Sequence, residues 1–256
     1  GAGGVEPQSE TVWHQADKYR VPRIAFINKL DRVGSDFFHV MDMLVEKFGA
    51  NPIPLQIPLG REDEFFGVID LITMKALAWS EDDLGATFSL ISIPEEYEQL
   101  ARSQREKMLE KCSLLDDQFM ELYLEGKEID DAMIHETLRQ GTIALKCVPV
   151  LCGTALRNKG IQPLLDSVVR YLPSPLDIPP VQGINPQTGQ MEQREVSDEE
   201  DLAALAFKIV LDEGRKLTYI RIYSGTIKVG DDIYNVNLGK REKVSRIFRM
   251  HANHRD

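Results

Sequence analysis

Three polar side chains directly after a short apolar run are the clearest chemical signal in this sequence. The run at 24–27 reads Ile-Ala-Phe-Ile, and Asn28, Lys29 and Asp31 follow it at once. An apolar run of this length predicts a buried strand, and open α/β sheets bind ligands just beyond the carboxyl ends of their strands. The Asp31 carboxylate can accept two adjacent N–H donors, which guanine offers at N1 and N2 and adenine does not. We interpret these residues as a guanine-binding group.

Asn28 and Lys29 have distinct expected roles at this site. Asn28 would donate its amide to an acceptor on the base edge or hold a neighbouring loop, and Lys29 would lay its methylene stem over the ring. Asn and Asp also cap helices frequently, so Asn28 and Asp31 could instead cap the helix that follows. The spacing alone leaves both interpretations open.

A second turn of small and polar residues follows a second predicted strand, at 147–151. In this turn, the backbone N–H groups of Thr154, Ala155 and Leu156 would donate to the O6 carbonyl of guanine. Adenine carries an amine at this position, whose N–H donors would face the backbone N–H donors. An ordinary strand-to-helix turn is the alternative for this segment. Pro149 conflicts with a position inside a sheet, because proline is usually confined to edge strands.

The predicted elements around these two turns alternate as in an α/β fold. Helices are expected at 8–19, at 35–48 with Ser35 as N-cap and Gly49 as the terminating residue, and at 161–172. Because helices separate the two apolar strands, we expect a parallel sheet that is covered by helices. We assign 1–49 and 145–174 to this domain.

The intervening segment, 50–144, departs from this alternation, and we interpret it as an inserted α+β subdomain. Residue types and turn signals predict strands at 53–59, 67–73 and 75–80, followed by an acidic loop. Apolar residues at helical spacing then predict helices at 94–112, 114–125 and 131–140, the last two closed by Gly126 and Gly141.

The residue composition and the predicted elements change after residue 173. Prolines between 173 and 180 predict a stiff linker, and 183–201 is polar and acidic, so we assign 175–201 to a linker with 183–201 as a loop. Short strands separated by glycine-containing turns follow and predict the start of a small β-barrel over 202–256. These strands are expected at 202–210, 217–223, 232–237 and 243–250.

Basic residues concentrate near the end of the chain. They are Lys240, Arg241, Lys243, Arg246, Arg249 and Arg255. Such a patch could contact RNA phosphates, and the alternative is a solvated strand edge that charge protects from pairing. The pattern does not decide between these two interpretations.

Composition narrows the class of protein. The 256 residues are 43% hydrophobic and 28% charged, as is typical of a soluble globular protein, and the net charge of -11 argues against a chain that coats nucleic acid. We find no apolar run of the about 18 residues that a membrane helix needs and no signal-peptide pattern. Cys112, Cys147 and Cys152 lack metal-ligand spacing, so we expect reduced thiols, no metal site and a cytoplasmic location.

Taken together, several segments resemble elongation factor G, the translational GTPase that drives translocation on the bacterial ribosome. The match covers nearly the whole chain. The segments are Gly3 to Trp13, Ile27 to Arg32, Gly49 to Pro52, Cys152 to Gly160, Tyr171 to Pro175, Ala204 to Lys208, Tyr223 to Gly225 and Met250 to Asn253.

The resemblance implies both a fold and a set of partners. The fold would be the C-terminal part of a P-loop GTPase domain with an α+β insertion, followed by part of a translation-factor β-barrel. Asn28, Lys29 and Asp31 fall on the family's guanine-specificity motif, and the turn at 154–156 falls on its second guanine-contacting loop. The implied partners are GTP or GDP and the ribosome, including ribosomal RNA and the stalk protein that the insertion faces. We expect a monomer.

The sequence also departs from the family pattern. The phosphate-binding loop Gly-x-x-x-x-Gly-Lys-Ser/Thr and the two switch segments do not occur in the 256 residues. We therefore expect an internal fragment with no catalytic residue of its own, in which Mg²⁺ and phosphate contacts come from upstream residues and only the parent protein hydrolyses GTP. The turn at 212–217 is shorter than the family's usual turn. This leaves a divergent paralogue, a ribosome-protection protein, a release- or initiation-factor GTPase and a non-catalytic ribosome-binding module as alternatives.

Overall fold

The computed structural model describes residues 1–80, 83–186, 188–212, 214–251 and 254–255. The chain divides into two compact units, Gly1–Pro173 and Ser174–Asp256. Each unit is described separately below.

A three-stranded parallel sheet organises the first unit. Its strands are β1 (Ala25–Ile27), β2 (Pro52–Pro54) and β7 (Val148–Cys152), in the spatial order β1-β7-β2. β7 is buried along its whole length, as a central strand between two neighbours must be. The helices of this part are α1 (Pro7–Lys18), α2 (Phe37–Phe48) and α6 (Ile161–Tyr171). The predicted α/β alternation is therefore present.

Pro149 lies in the central strand despite the rule that favours sheet edges. The N–H of Val148 donates to Asn51 O on the β2 side, so the alternation along the strand turns the nitrogen of Pro149 toward β1. The ladder between β1 and β7 begins only at the pair Ala25 and Val150. The missing donor therefore falls just before this ladder, where it removes no sheet hydrogen bond.

Helix α2 begins one residue later than its sequence suggested. Its N-cap is Asp36, whose Oδ1 accepts the His39 N–H at 3.0 Å, while the Ser35 hydroxyl donates to Leu30 O instead. The assignment of Ser35 as N-cap was therefore wrong. Gly49 ends the helix at φ +58°, a left-handed conformation that glycine adopts without strain, as predicted.

The inserted segment contains a four-stranded antiparallel sheet. Its strands, in spatial as in chain order, are β3 (Gln56–Leu59), β4 (Gly67–Asp70), β5 (Lys75–Trp79) and β6 (Phe88–Ile91). The single strand predicted at 53–59 is in fact two, because the chain passes from one sheet to the other at Leu55. The Leu55 N–H donates to Val150 O and its carbonyl accepts from Leu71 N, each at 2.9 Å. β6 was not predicted and follows the acidic loop.

Three helices complete the insertion: α3 (Glu95–Ser113), α4 (Asp117–Leu124) and α5 (Asp131–Ile143). α5 continues through Gly141, so the prediction that this glycine ends the helix was wrong. A Cβ at Gly141 would lie 2.8 Å from Leu115 Cδ1 and 2.9 Å from Cys147 Sγ. Glycine is needed there for close packing, and the left-handed residue beyond the helix is Leu145, at φ +62°.

The second unit consists of antiparallel strand pairs within the described residues. These are β8 (Val181–Ile184) with β9 (Met191–Arg194), β10 (Ala203–Asp212) with β11 (Arg215–Ser224), β12 (Asp232–Asn235) with β13 (Lys240–Lys243), and β14 (Met250–His251) with β15 (His254–Arg255). In the described residues these pairs form separate two-stranded ladders and do not close into a barrel.

Two predictions for this unit were wrong, one at 183–201 and one at 243–250. Most of the β8–β9 hairpin lies within the loop predicted at 183–201, and in its turn Asn185 Oδ1 accepts the Thr188 N–H and Asn185 N donates to Gln190 O. The strand predicted at 243–250 is absent from the described residues 244–249. β13 occupies 240–243 instead, and it follows a turn in which Asn235 Oδ1 accepts the Leu238 N–H.

The contact between α5 and α6 leads to a prediction about pH. His135 Nδ1 lies 2.6 Å from the Tyr171 hydroxyl, and Arg170 Nη1 lies 2.7 Å from His135 Nε2. Burial, and then the Arg170 charge, lowers the pKa of His135 against the opposing effect of Asp70 and Asp131. The unfolded chain therefore takes up this proton first as the pH falls. The folded state favours the neutral His135 ring. Its contribution to the free energy of unfolding is therefore complete above about pH 6.5 and is lost as the pH falls below that value.

We expect His135→Gln to reduce the loss of stability between about pH 7.5 and pH 5.5. The measurement is the midpoint of urea denaturation at both pH values, with His39→Gln as the control because the His39 ring takes no part in this contact. An unchanged pH dependence in His135→Gln would contradict this assignment.

Candidate functional site

The two turns singled out in the sequence lie side by side at the carboxyl ends of two neighbouring strands of the parallel sheet. β1 and β7 run parallel with Ile27 opposite Cys152, so both chains leave the sheet at the same level. The pairing continues past the strands, since Gly153 N donates to Ile27 O at 3.1 Å and Leu30 N donates to Gly153 O at 3.3 Å. The sheet thus positions the loop that begins at Asn28 against the loop that begins at Gly153.

The Asn28 side chain holds these two loops together. Its Oδ1 accepts the N–H of Lys29 at 2.8 Å and the N–H of Ala155 at 2.9 Å. The oxygen of this amide is therefore committed to the loops, and its nitrogen carries the donors that an acceptor on a base edge would use. A residue in this position controls the spacing between the loops as well as the chemistry at their surface.

The carboxylate of Asp31 is oriented by the second loop. Its Oδ1 accepts the Thr154 hydroxyl at 2.7 Å, and its Oδ2 lies 3.3 Å from Arg157 Nε. The Asp31 side chain is 13% exposed and Thr154 is buried, so the contact is largely shielded from water. An ionised carboxylate has about four lone-pair sites, so both oxygens can still accept the two N–H donors of guanine. Asp36 caps α2, which rules out helix capping as the role of Asn28 and Asp31.

The remaining predicted residues line the outer surface of the two loops. Lys29 has φ +63° and is exposed, and Leu156 is 89% exposed. Thr154 N donates to Lys159 O at 2.9 Å, so two of the three N–H groups expected to face the base, those of Thr154 and Ala155, already donate to protein oxygens. Contact between Ala155 N–H and a base oxygen would require sharing or exchanging its bond to Asn28.

The second loop is closed by backbone contacts that require glycine at its base. Thr154 and Lys159 pair with each other through both backbone groups. A Cβ at Gly153 would lie 2.3 Å from Lys159 O and 2.9 Å from Phe26 Cζ. Gly160 has φ +88°, and a Cβ there would lie 2.6 Å from Cys152 O. These approaches fix the loop in a compact shape.

The structure adds residues that the sequence did not indicate. Arg157 reaches the carboxylate of Asp31 from 126 positions along the chain, and Asn158 adopts a left-handed conformation that directs its amide to Leu84 O. The sequence contains one usable signal, Asn158-Lys159-Gly160, because asparagine and glycine close together are typical of a tight turn. No sequence signal indicates which residues Arg157 and Asn158 contact.

Two larger grooves of the first unit lie away from these two loops. One of about 420 Å³ includes Trp13, Arg23 and Lys146 near the amino ends of the strands, and one of about 500 Å³ lies beside β6 and α3. Neither is lined by residues 28–31 or 154–156. The candidate base site is therefore distinct from both grooves and lies between the two loops at the carboxyl ends of β1 and β7.

The predicted basic patch is exposed but not continuous. Lys240, Arg241, Lys243, Arg246 and Arg249 are all exposed. Successive residues of β13 point to opposite faces, so Arg241 and Lys243 share one face and Lys240 lies on the other. Asp232 stands opposite Lys243 and partly offsets its charge. For Arg255, the structure describes the strand β15 but not the side chain.

Comparison with known protein families agrees with this arrangement. Residues 1–174 match the family model described as the elongation factor Tu GTP binding domain, and residues 215–256 match elongation factor Tu domain 2. The chain belongs to the elongation factor Tu GTP binding domain family. The resemblance to elongation factor G and the predicted fold class are both confirmed.

One related sequence and one solved structure are similar to nearly the whole chain. Elongation factor G 2 from Syntrophus aciditrophicus (strain SB) is 54% identical over 253 residues, which cover 99% of this chain and 37% of the relative. A crystal structure of a protein from Thermus thermophilus superposes with a TM-score of 0.78 at 22% identity, over 99% of this chain and 34% of that chain, and shows the fold alone. The chain thus spans about a third of the length of both. Among the described residues, no helix is both long and apolar enough to cross a bilayer.

Proposed function

We propose that this chain carries the guanine-recognition part of a GTP-binding domain, in a protein that binds GTP and GDP and acts on the ribosome. The observation that carries the proposal is the pairing of the two loops, in which Thr154 orients Asp31 and Ala155 binds Asn28. These partners are separated by 123 and 127 positions in the chain and meet only because β1 and β7 are adjacent.

The chemistry of this pair favours guanine over adenine. Asp31 is a negatively charged acceptor of two donors, and guanine presents N1–H and N2–H side by side on one edge. Adenine presents an unprotonated N1 there, which would face a carboxylate oxygen acceptor to acceptor and leave the carboxylate unsatisfied. In the proposed complex Lys29 covers one face of the ring, and Leu156 provides apolar surface beside it.

Phosphate and Mg²⁺ contacts are assigned to none of these residues. Phosphoryl transfer depends mainly on electrostatic clamping of the phosphates and the metal. The phosphate-binding pattern is absent from the 256 residues. In our proposal GTP hydrolysis, coupled to translocation of tRNA and mRNA, belongs to the complete protein, and the 256 residues alone do not hydrolyse GTP.

The other parts of the chain have proposed roles as well. We propose that 50–144 is an insertion that meets the ribosomal stalk protein and that 1–49 and 145–174 are parts of the GTP-binding domain. In the same proposal, 175–201 connects this domain to the start of a second domain at 202–256, whose exposed basic residues near β13 contact ribosomal RNA. The elongation factor G relative and the match to elongation factor Tu domain 2 support this division. The proposed protein is a cytoplasmic monomer.

Calorimetric titration of the complete gene product with GDP, GTP and ATP in the presence of Mg²⁺ tests the central proposal. We expect binding of GDP and GTP and no detectable binding of ATP, because only guanine satisfies the Asp31 carboxylate. The 256-residue chain should bind either guanine nucleotide far more weakly, since it lacks the phosphate-binding pattern. Equal affinity of the complete protein for ATP and GTP would contradict guanine recognition.

A further inference from the structure

Both loops of the candidate base site are attached to one short segment of the inserted block. This segment connects β3 to β4 and contains a single 3-10 turn at Glu62–Glu64. Gly34 N, just beyond the first loop, donates to Glu62 Oε1 at 2.7 Å. From the second loop, Lys159 Nζ donates to Phe65 O at 3.4 Å, with Lys159 only 2% exposed. The segment therefore connects the two loops to each other.

A second group of contacts ties the second loop and the first turn of α6 to residues 83–86 and Trp79. Asn158 Nδ2 donates to Leu84 O at 3.0 Å, and Gln162 Nε2 donates to Gly85 O at 2.9 Å and to Ala86 O at 3.1 Å. The Gln162 oxygen in turn accepts Trp79 Nε1–H at 3.2 Å, so this amide is held on both sides by the insertion.

The two surfaces also fit closely. A Cβ at Gly85 would lie 2.3 Å from Arg157 O and 3.1 Å from Asn158 Cβ, and Gly85 itself has φ +76°. Asp83 orders this turn by accepting the N–H groups of Gly85 and Thr87. A displacement of this turn would therefore also move the backbone of Arg157, whose side chain contacts the Asp31 carboxylate.

We propose that the inserted block positions the guanine site, and that Asn158 and Gln162 are positioning residues through which it does so. The inference rests on the proposed guanine recognition. Asn158 and Gln162 hold the far side of the second loop, and the backbone pair of Thr154 and Lys159 transmits this restraint to the side that faces the base. Preorganisation of this kind lowers the entropic cost of ordering the loop when a ligand binds.

The proposal implies a reciprocal effect. If the insertion improves guanine binding by holding the loop, then guanine binding must stabilise the contact with the insertion by the same free energy. Bound nucleotide should therefore slow hydrogen exchange of backbone amides at 83–87, although these residues are not part of the base site.

The test uses Asn158→Gly and Gln162→Met in the complete gene product. Asn158 has φ +56°, so glycine keeps the backbone conformation and removes the amide, while methionine preserves the length of Gln162 without its two donated bonds and the bond that it accepts from Trp79. We expect each variant to bind GDP about 3- to 10-fold more weakly, because only part of the free energy of holding the loop is expressed in ligand affinity. Gln162→Met should also abolish the protection of 83–87 by GDP. Gln140→Met is the matched control, because the Gln140 amide donates within α5, to Glu136, and lies outside this contact.

The outcomes separate this inference from the proposed function. Unchanged GDP affinity in both variants would overturn the positioning role while leaving guanine recognition intact. Absence of GDP-dependent protection at 83–87 in the wild type would overturn it as well, without reliance on any variant. Failure of the wild-type protein to prefer guanine over adenine nucleotides would instead overturn the proposed function.

Discussion

Replacement of Asp31 by asparagine is expected to change the base preference of the complete protein from guanine to xanthine. The wild-type carboxylate accepts two N–H donors, whereas an asparagine amide presents one acceptor and one donor. The donor would oppose N2–H of guanine but would match the carbonyl oxygen that xanthine carries at this position. We expect GTP affinity to fall by about 100-fold, as for the loss of a charge-assisted hydrogen bond, and xanthosine triphosphate affinity to rise.

The local structure should tolerate this change. Asparagine Oδ1 can still accept the Thr154 hydroxyl that now binds Asp31 Oδ1. The ion pair with Arg157 would be lost, but the Arg157 side chain is 45% exposed, and pairs of this kind contribute little to stability. A fall in GTP affinity would therefore report on recognition and not on unfolding.

Titration of the wild type and the variant with GTP and xanthosine triphosphate measures the effect. Asp36→Asn is a matched control, because Asp36 caps α2 outside the candidate base site and asparagine caps helices as well as aspartate does. An unchanged ratio of the two affinities in Asp31→Asn would refute the assignment of Asp31 to the base.

Gly153→Ala is expected to have the largest effect on the shape of the site. The new methyl group would lie 2.3 Å from the carbonyl oxygen of Lys159 and 2.9 Å from Phe26 Cζ, and the first of these atoms belongs to the backbone and cannot rotate away. The second loop would have to move, and Ala155 and Thr154 would lose their contacts to Asn28 and Asp31. Overpacking of this kind costs about 1–3 kcal/mol of folding free energy.

We expect Gly153→Ala to lower the urea midpoint and to abolish detectable GDP binding under conditions where the variant remains folded. Gly183→Ala provides the control, because Gly183 lies in β8 and a methyl group added there would have no neighbouring atom within 4 Å. Wild-type GDP affinity in Gly153→Ala would show that the loop is less constrained than the contacts imply.

The residues of the candidate base site could be singled out in the sequence because their signals are local. Residues 24–31 alone indicate where a strand ends and which polar groups follow it, because an apolar run is followed directly by Asn28, Lys29 and Asp31. Gly49 and the elements around it were also predicted, since a helix stripe and its terminating glycine are contiguous in the chain.

Errors arose where a local signal has more than one structural cause. Gly141 ends no helix, because the same residue type is also required where Leu115 and Cys147 pack closely against a helix. The segment 53–59 reads as one strand, although it contributes to two sheets, since residue types do not reveal which neighbour supplies the hydrogen bonds.

The sequence by itself therefore determined the family, the α/β order and the polar residues that follow β1 and β7. The tertiary structure alone decided that Asn28 binds Ala155, that Arg157 contacts Asp31, and that Glu62 and Gln162 join the loops to the insertion. The physical reason is the range of the interactions. A hydrogen bond between residues 28 to 127 positions apart depends on which strands become neighbours and how the insertion packs beside them, and no periodicity or turn signal within either segment encodes that arrangement.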